Sequence, residues 1–175
     1  MKRTKIDSLT LSNSAPPDSV SLGARKAMPI GVINYSLSRF GEIYLRGALK
    51  LNIKNDSLRD VRLSSEYLAY TLRLLVQYCD LDRVLEVNIS SDREYYRLCA
   101  DYASSLPSEE EIAKIFAAAN QAGFTVSRIR GCVLELLAPV EISAVINLYA
   151  TVSAEYFCTL YRTFFGSEAP SGSNL

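Results

Sequence analysis

The 175-residue sequence predicts an α/β fold: a two-layer α/β sandwich in which a mixed, mostly antiparallel sheet carries helices on one face. Two observations lead to this prediction. Segments with apolar residues at helical spacing alternate with paired runs of strand character, in the order helix, helix, two strands, helix, two strands, helix. Short turns join the members of each pair, as in antiparallel hairpins. We expect one domain over residues 28–166, a loosely attached segment over 1–27 with an edge strand at Ser8–Ser12, and a flexible tail over 167–175.

The first predicted helix covers residues 31–51. Its apolar residues recur at spacings of four, three, four, four and three, and so form one stripe: Ile33, Leu37, Phe40, Tyr44, Ala48 and Leu51. This stripe has two interpretations. It packs against the helix's own domain, or it pairs with a second copy of the chain, because a repeat of about 3.5 residues suits helix pairing.

The second predicted helix covers Ser65–Cys79. It follows a polar connection at Lys54–Asp60, and Ser64 or Ser65 can cap its N-terminus. Its spacing predicts a buried face that consists of Leu68, Leu72, Leu75 and Cys79.

Two strands follow, Arg83–Ser90 and Glu94–Asp101, because polar and apolar residues alternate along both of them. A three-residue turn separates them, so the pair is predicted to be an antiparallel hairpin. The third helix begins after Ser108, whose hydroxyl can cap it, and runs to about Gln121. Gly123 is a suitable residue to end it.

Two further apolar runs, Cys132–Leu137 and Ile142–Thr151, are predicted to form a second hairpin. Ala138 and Pro139 interrupt the apolar pattern between them. The last helix is predicted over Ser153–Phe165, where aromatic and leucine residues share one face.

Composition excludes several classes of function. Lysine plus arginine equals aspartate plus glutamate at 19 each, so no excess charge indicates nucleic acid or an anionic membrane as a partner. The absence of histidine removes histidine bases, catalytic triads, histidine zinc ligands and phosphohistidine. The four cysteines are widely spaced in apolar segments, which predicts reduced thiols, no metal and a cytoplasmic location. We also expect no membrane span and no signal peptide.

The segment Val61–Phe116 carries the most specific pattern. It contains an apolar helix, a strand, a turn, a second strand that ends at Asp101, and then a leucine-proline pair before a glutamate-rich helix start. This order resembles the ATPase domain shared by histidine kinases, gyrase-type topoisomerases and the large heat-shock chaperones. The resemblance covers about Asp60–Thr151 and is strongest over Val87–Phe116.

The resemblance implies five positions at which a nucleotide would bind. Gln77 lies where the family has an asparagine that helps to hold magnesium, and Asp101 lies where its aspartate accepts a hydrogen bond from adenine. Ala103 and Ser105 replace the two glycines of the family's Asp-x-Gly-x-Gly motif, and Gly123 belongs to what remains of its glycine-rich lid. Glutamine is longer than asparagine, and side chains at the glycine positions obstruct the close approach of a ligand.

The family's phosphoacceptor histidine is also absent, because Tyr35–Arg39 contains none. We therefore expect a degenerate histidine-kinase-like ATPase domain, a pseudokinase of two-component signalling without catalytic or metal-binding residues. It would act by protein contact, with a partner protein or with a second copy through helix 31–51. One alternative is an active nucleotide-binding kinase of the histidine-kinase or anti-sigma type, with ATP and magnesium as cofactors. The other is an unrelated α/β interaction module.

Several candidate residues keep a functional and a structural interpretation. Asp101 either contacts adenine or forms a turn, and Gln77 either binds an ion or is an ordinary hydrogen-bonded helix residue. Arg128 and Arg130 either meet phosphates or lie exposed on a strand edge or loop. Three tyrosines are either ordinary sheet and core residues or fill a pocket vacated by nucleotide: Tyr95, Tyr96 and Tyr102.

Overall fold

The computed structural model describes residues 26–45, 47–54, 59–80, 82–142 and 149–166. The predicted edge strand at Ser8–Ser12 and the predicted tail over 167–175 lie outside these residues. In chain order the elements are β1 (Ala27–Pro29), α1 (Ile30–Tyr44), β2 (Leu49–Ile53), β3 (Arg59–Arg62), α2 (Ser65–Gln77), β4 (Leu85–Ser91), β5 (Tyr95–Asp101), α3 (Glu109–Ala122), β6 (Val126–Arg130), β7 (Val133–Ile142) and α4 (Tyr149–Phe165).

The strands form one mixed sheet in the order β1-β3-β7-β5-β4-β2, and β6 pairs with β7 as a side branch. Every pairing is antiparallel except that of β2 with β4, which is parallel. The long strand β7 pairs along most of its length with β5, while β6 and β3 pair with its first and last residues respectively. The predicted α/β fold with a mixed, mostly antiparallel sheet is confirmed.

The core lies between one face of the sheet and the helices. The buried positions alternate along the strands and include Val87, Ile89, Leu98, Ala100, Leu134 and Leu136. Helix α4 packs against both α1 and α2, and α2 packs against α3, so the helices adjoin one another in a single layer. Aromatic rings join α1 to α4, because the Phe40 ring meets Phe164 edge-on at 5.3 Å between centroids and Phe157 at 6.0 Å.

The predicted first helix is too long. Helix α1 ends at Tyr44, and residues 49–53 form β2, which pairs in parallel with β4. The run Leu-Lys-Leu-Asn-Ile fits a two-residue period as well as the helical one, so sheet pairing decides the structure. Ile33, Leu37 and Phe40 are buried. These three residues pack inside the domain, as the first interpretation of the stripe expected.

The predicted second hairpin also has different strands. It is formed by β6 and β7, with its turn at Gly131 and Cys132, and β7 continues through Pro139 to Ile142. Pro139 lies opposite Tyr95, and the next amide, that of Val140, donates to the carbonyl oxygen of Glu94, the residue before β5. Proline breaks a strand only where its missing N–H is needed, so the interruption predicted at this position was wrong. The predicted strand residues up to Thr151 belong partly to α4 and partly to residues outside the described ranges.

The predicted polar connection before α2 contains a strand, since β3 begins at Arg59. The helix caps are as expected. The Ser64 hydroxyl oxygen accepts the Tyr67 amide at 3.3 Å, and the Ser108 hydroxyl oxygen accepts the Glu111 amide at 3.2 Å. Within the described residues no helix is long and apolar enough to cross a membrane.

Candidate functional site

An open groove lies between the C-terminal end of α2 and the N-terminal end of α3, with a volume of about 350 Å³. We call it the α2–α3 groove. It is lined by Gln77, Tyr78, Cys79, Asp80, Ser105, Leu106, Pro107, Ser108 and Glu111. The structure therefore brings together two of the five residues implied by the resemblance, Gln77 and Ser105. They reach the groove from opposite sides, because Gln77 ends α2 and Ser105 lies on the connection from β5 to α3.

Asp101 and Ala103 lie next to this groove in a tight turn. Asp101 is exposed at the end of β5, and its Oδ1 accepts the Ala103 amide at 2.8 Å. This is the local hydrogen bond by which a turn-forming aspartate fixes the following residues. Ala103 has a φ of 60°, and it is the one non-glycine residue with a positive φ among those that the structure describes. Ala103, which the resemblance aligns with a glycine, thus has the left-handed backbone that favours glycine, although it carries a side chain.

Tyr102 anchors this turn to the core. Its side chain is buried, and its hydroxyl donates a hydrogen bond of 2.6 Å to the carbonyl oxygen of Leu75 in α2. Burial raises the pKa of the Tyr102 hydroxyl above its ordinary value. The other two tyrosines suggested as pocket fillers lie elsewhere, since Tyr96 is buried against Asn34 and Tyr95 is half-buried. None of the three lines the groove.

The groove carries negative groups. Asp80 and Glu111 line it, and its described lining residues include no lysine or arginine. The last carbonyls of α2 point toward the same end of that helix and carry the negative pole of its dipole. The N-terminal end of α3 brings the opposite, positive pole to the same groove, so the bias against a phosphate group comes from the carboxylates of Asp80 and Glu111.

Gly123 lies at the far end of α3. It ends this helix with a φ of 127°, and a side chain there would collide with the carbonyl oxygen of Arg62. Helix α3 has 14 residues, so about 20 Å of helix separates Gly123 from the groove. Because β6 begins at Val126, the loop that follows α3 is only a short link. What remains of the lid implied around Gly123 is therefore a three-residue link, Gly123–Thr125, between α3 and β6, and Gly123 does not join Gln77 and Ser105.

A second polar cluster, which we call the Glu135 cluster, lies on the open face of the sheet. Glu135 on β7 is 2% exposed, and its carboxylate accepts hydrogen bonds from Arg128 at 2.9 and 3.1 Å and from Arg97 at 2.9 Å. Arg130 approaches it at 3.5 Å, and Arg97 also pairs with Asp92. The hydrogen bond from Arg128 is the main cause that holds the pKa of Glu135 below its ordinary value.

Sequence reasoning missed the Glu135 cluster and the acidic lining of the groove. The sequence signal for the Glu135 cluster was the single charged residue, Glu135, in the apolar run Val133–Leu137, since a buried carboxylate in a strand needs cationic partners. Arg128 and Arg130 lie on β6, as their structural interpretation as strand-edge residues expected. Within the described ranges, no group of three acidic or cysteine side chains could hold a metal ion.

Comparisons with known proteins add little to this description. No family model matches the chain, and no curated protein matches it. Among solved structures, the cytoplasmic segment of histidine kinase QseC is similar at 14% identity, with a TM-score of 0.40 over 81% of this chain and 98% of that chain. A likeness with so low a TM-score carries no argument about this chain.

Proposed function

We propose that this chain is a degenerate histidine-kinase-like ATPase domain that acts in cytoplasmic signalling through protein contact, without ATP turnover. The observation that carries the proposal is the chemistry of the α2–α3 groove. Gln77 and Ser105 line it at positions where the resemblance expects asparagine and glycine, and its charged side chains are the carboxylates of Asp80 and Glu111. The order from β3 to β7 (strand, helix, hairpin, helix, hairpin) supports the scaffold.

The size and charge of the groove disfavour ATP in particular. About 350 Å³ lies at the lower end of the roughly 300–1,000 Å³ found for small-molecule pockets. A nucleotide triphosphate also needs cationic or amide donors around its phosphates, which phosphate-binding sites take from lysine, arginine or free helix amides. At α3 the first turn instead carries three glutamates, Glu109–Glu111, and the Ser108 hydroxyl already accepts the amide of Glu111.

Isothermal titration calorimetry with ATP and magnesium tests the proposal, together with an assay for ADP release. We expect no saturable heat and no ADP. The double variant Ala103→Gly/Ser105→Gly is a useful companion, because it restores both motif glycines and leaves the acidic lining in place. It should also fail to bind ATP. Micromolar binding with hydrolysis by the wild-type chain would overturn the proposal.

The partner in this proposal is another protein. A second copy bound through the apolar stripe of predicted helix 31–51 is less well supported, because Ile33, Leu37 and Phe40 are buried in the core of the domain. Among the α1 side chains that the structure describes, the large apolar ones that are exposed are Tyr35 and Ile43, at 54% and 47% exposure. Light scattering across a concentration series, for the wild-type chain and for Ile43→Glu, separates the two partners. A dimer that this substitution dissociates would favour self-association.

One observation favours a second candidate, an active nucleotide-binding kinase of the same superfamily. Ala103 keeps the left-handed backbone of the motif glycine, and the groove beside it is open. This candidate predicts that Asp101→Asn abolishes nucleotide binding, and it fails if the wild-type chain never binds nucleotide. A parallel strand order or helices on both faces of the sheet would support the third possibility, an unrelated α/β interaction module. The mostly antiparallel order and the single helix layer do not favour it.

A further inference from the structure

Strand β6 forms an open edge of the sheet. It is five residues long, and among the described residues its one strand partner is β7. An edge strand presents a row of backbone N–H and C=O groups that no neighbouring strand uses, which makes it a template for an added strand.

The side chains of β6 make this edge chemically distinctive. Arg128 lies opposite Glu135 and Arg130 opposite Val133, so both arginines lie on the open face of the sheet. Their side chains are 45% and 67% exposed. Between them Ile129 points to the other face and is 48% exposed, one of the few large apolar side chains that the described surface presents. The edge therefore presents a cation, an apolar group and a second cation in turn.

Glu135 holds the arginines in place without neutralising them all. Its buried carboxylate takes two hydrogen bonds from Arg128, which fixes the direction of that guanidinium. The cluster contains three arginines, Arg97 included, against the two carboxylates of Glu135 and Asp92, so one positive charge is left over. The least engaged of the three is Arg130, whose contact with Glu135 is long at 3.5 Å.

We propose that β6 accepts an extended segment of a partner protein as an additional strand, with acidic residues opposite Arg128 and Arg130 and an apolar residue opposite Ile129. Backbone hydrogen bonds to the edge would provide affinity, and the alternating side chains would provide specificity. The same edge of a second copy is a poor occupant, because arginines would face arginines, and like charges directly opposite are destabilising. The inference depends on the proposed function only in that the chain works by protein contact.

A synthetic peptide of alternating glutamate and valine, acetylated and amidated, is the probe. We expect saturable changes in the amide NMR signals of residues 126–130. The same peptide with lysine in place of glutamate should not bind. A version with every amide methylated, which has no backbone N–H to donate to a strand edge, should not bind either. An unchanged spectrum at millimolar peptide, changes confined to other strands, or equal binding of either control peptide would overturn the proposal.

Two variants and one matched control connect the binding to β6. Arg130→Gln removes one attraction and should weaken the peptide about twofold to fivefold, whereas Arg130→Glu adds repulsion and should weaken it about tenfold. Lys50→Glu makes the same charge change on the opposite edge strand, β2, and should leave the affinity unchanged. Equal weakening by Lys50→Glu would contradict the assignment to β6. ATP binding is measured separately by calorimetry. A chain that hydrolyses ATP and still binds the peptide would therefore contradict only the proposed function.

Discussion

Ala103 has a left-handed backbone conformation, which is unfavourable for a residue with a side chain. Replacing it with glycine is therefore the most direct test of the turn after β5. Its φ is 60°, and the turn is fixed by the hydrogen bond from its amide to Asp101. The side chain is exposed, so Ala103→Gly removes a methyl group that does little packing. The substitution therefore isolates the cost of the left-handed conformation.

The expected gain follows from two opposing contributions. The left-handed conformation costs an L-residue with a β-carbon about 1–2 kcal/mol relative to its right-handed one, a cost that glycine avoids. Glycine also gives the unfolded chain more freedom, which lowers stability by about 0.4–1 kcal/mol. The difference predicts that Ala103→Gly raises the free energy of unfolding by about 0.5–1 kcal/mol.

Urea unfolding followed by circular dichroism measures this change as a shift of the midpoint at constant slope. Ala117→Gly is the matched control, because Ala117 is exposed within α3 and the chemical change is identical. In a right-handed helix the same substitution should lower the stability by about 1 kcal/mol. If both variants are destabilised alike, the strain at Ala103 does not exist in solution and the account of the turn fails.

Three further substitutions probe the remaining features. Glu135→Gln leaves arginines around a neutral amide and should cost about 1–3 kcal/mol, toward the lower end because the arginines are partly exposed. The pKa of Glu135 is lowered in the folded state. The difference in stability between the wild type and Glu135→Gln should therefore be complete above pH 4.5 and be lost as the pH falls through that lowered pKa. Urea unfolding at several pH values measures this dependence. Tyr102→Phe leaves the buried Leu75 carbonyl without its donor and should cost about 1–2 kcal/mol in the same assay; no loss would mean that water replaces the hydroxyl. Gly123→Ala combines a positive φ with a collision and should cost more than about 2 kcal/mol by thermal unfolding, clearly more than Gly131→Ala, where a side chain meets open space.

The parts of the fold that local signals determine could be predicted from the sequence. Three predicted features are local: the cap at Ser64, the cap at Ser108 and the helix stop at Gly123. In each of them the two hydrogen-bonded residues lie within about one helical turn of each other, so the sequence alone indicates the contact. The hairpin of β4 and β5 is equally local. Its turn is held by Asp92, whose carboxylate accepts the amides of Glu94 and Tyr95, and these hydrogen bonds hold the pKa of Asp92 below its ordinary value.

The elements that were missed depend on contacts distant in the sequence. Strand β2 forms because β4, more than thirty residues later, offers a parallel edge, and no local signal in Leu49–Ile53 separates this outcome from a longer helix. The path of β7 through Pro139 depends on which strands lie beside it at that residue. The acidic lining of the groove could not be predicted for the same reason. Asp80 and Glu111 are far apart in the sequence, and only the fold brings them to one cavity.

Glycine in a turn can serve two roles, and this chain separates them between Ala103 and Ser105. One role is conformational, and Ala103 still performs it, at the cost of strain. The other is to let a ligand approach the backbone, and the side chain of Ser105 at the groove works against it. Asp101 shows the same separation, since its carboxylate is already engaged in holding the turn. An asparagine at position 101 would keep the oxygen that accepts the Ala103 amide, so Asp101→Asn removes the charge and preserves the turn. If the wild-type chain binds nucleotide, contrary to the proposed function, loss of that binding in Asp101→Asn would report on a ligand contact and not on the fold, and the substitution would distinguish an adenine-binding aspartate from a purely structural one.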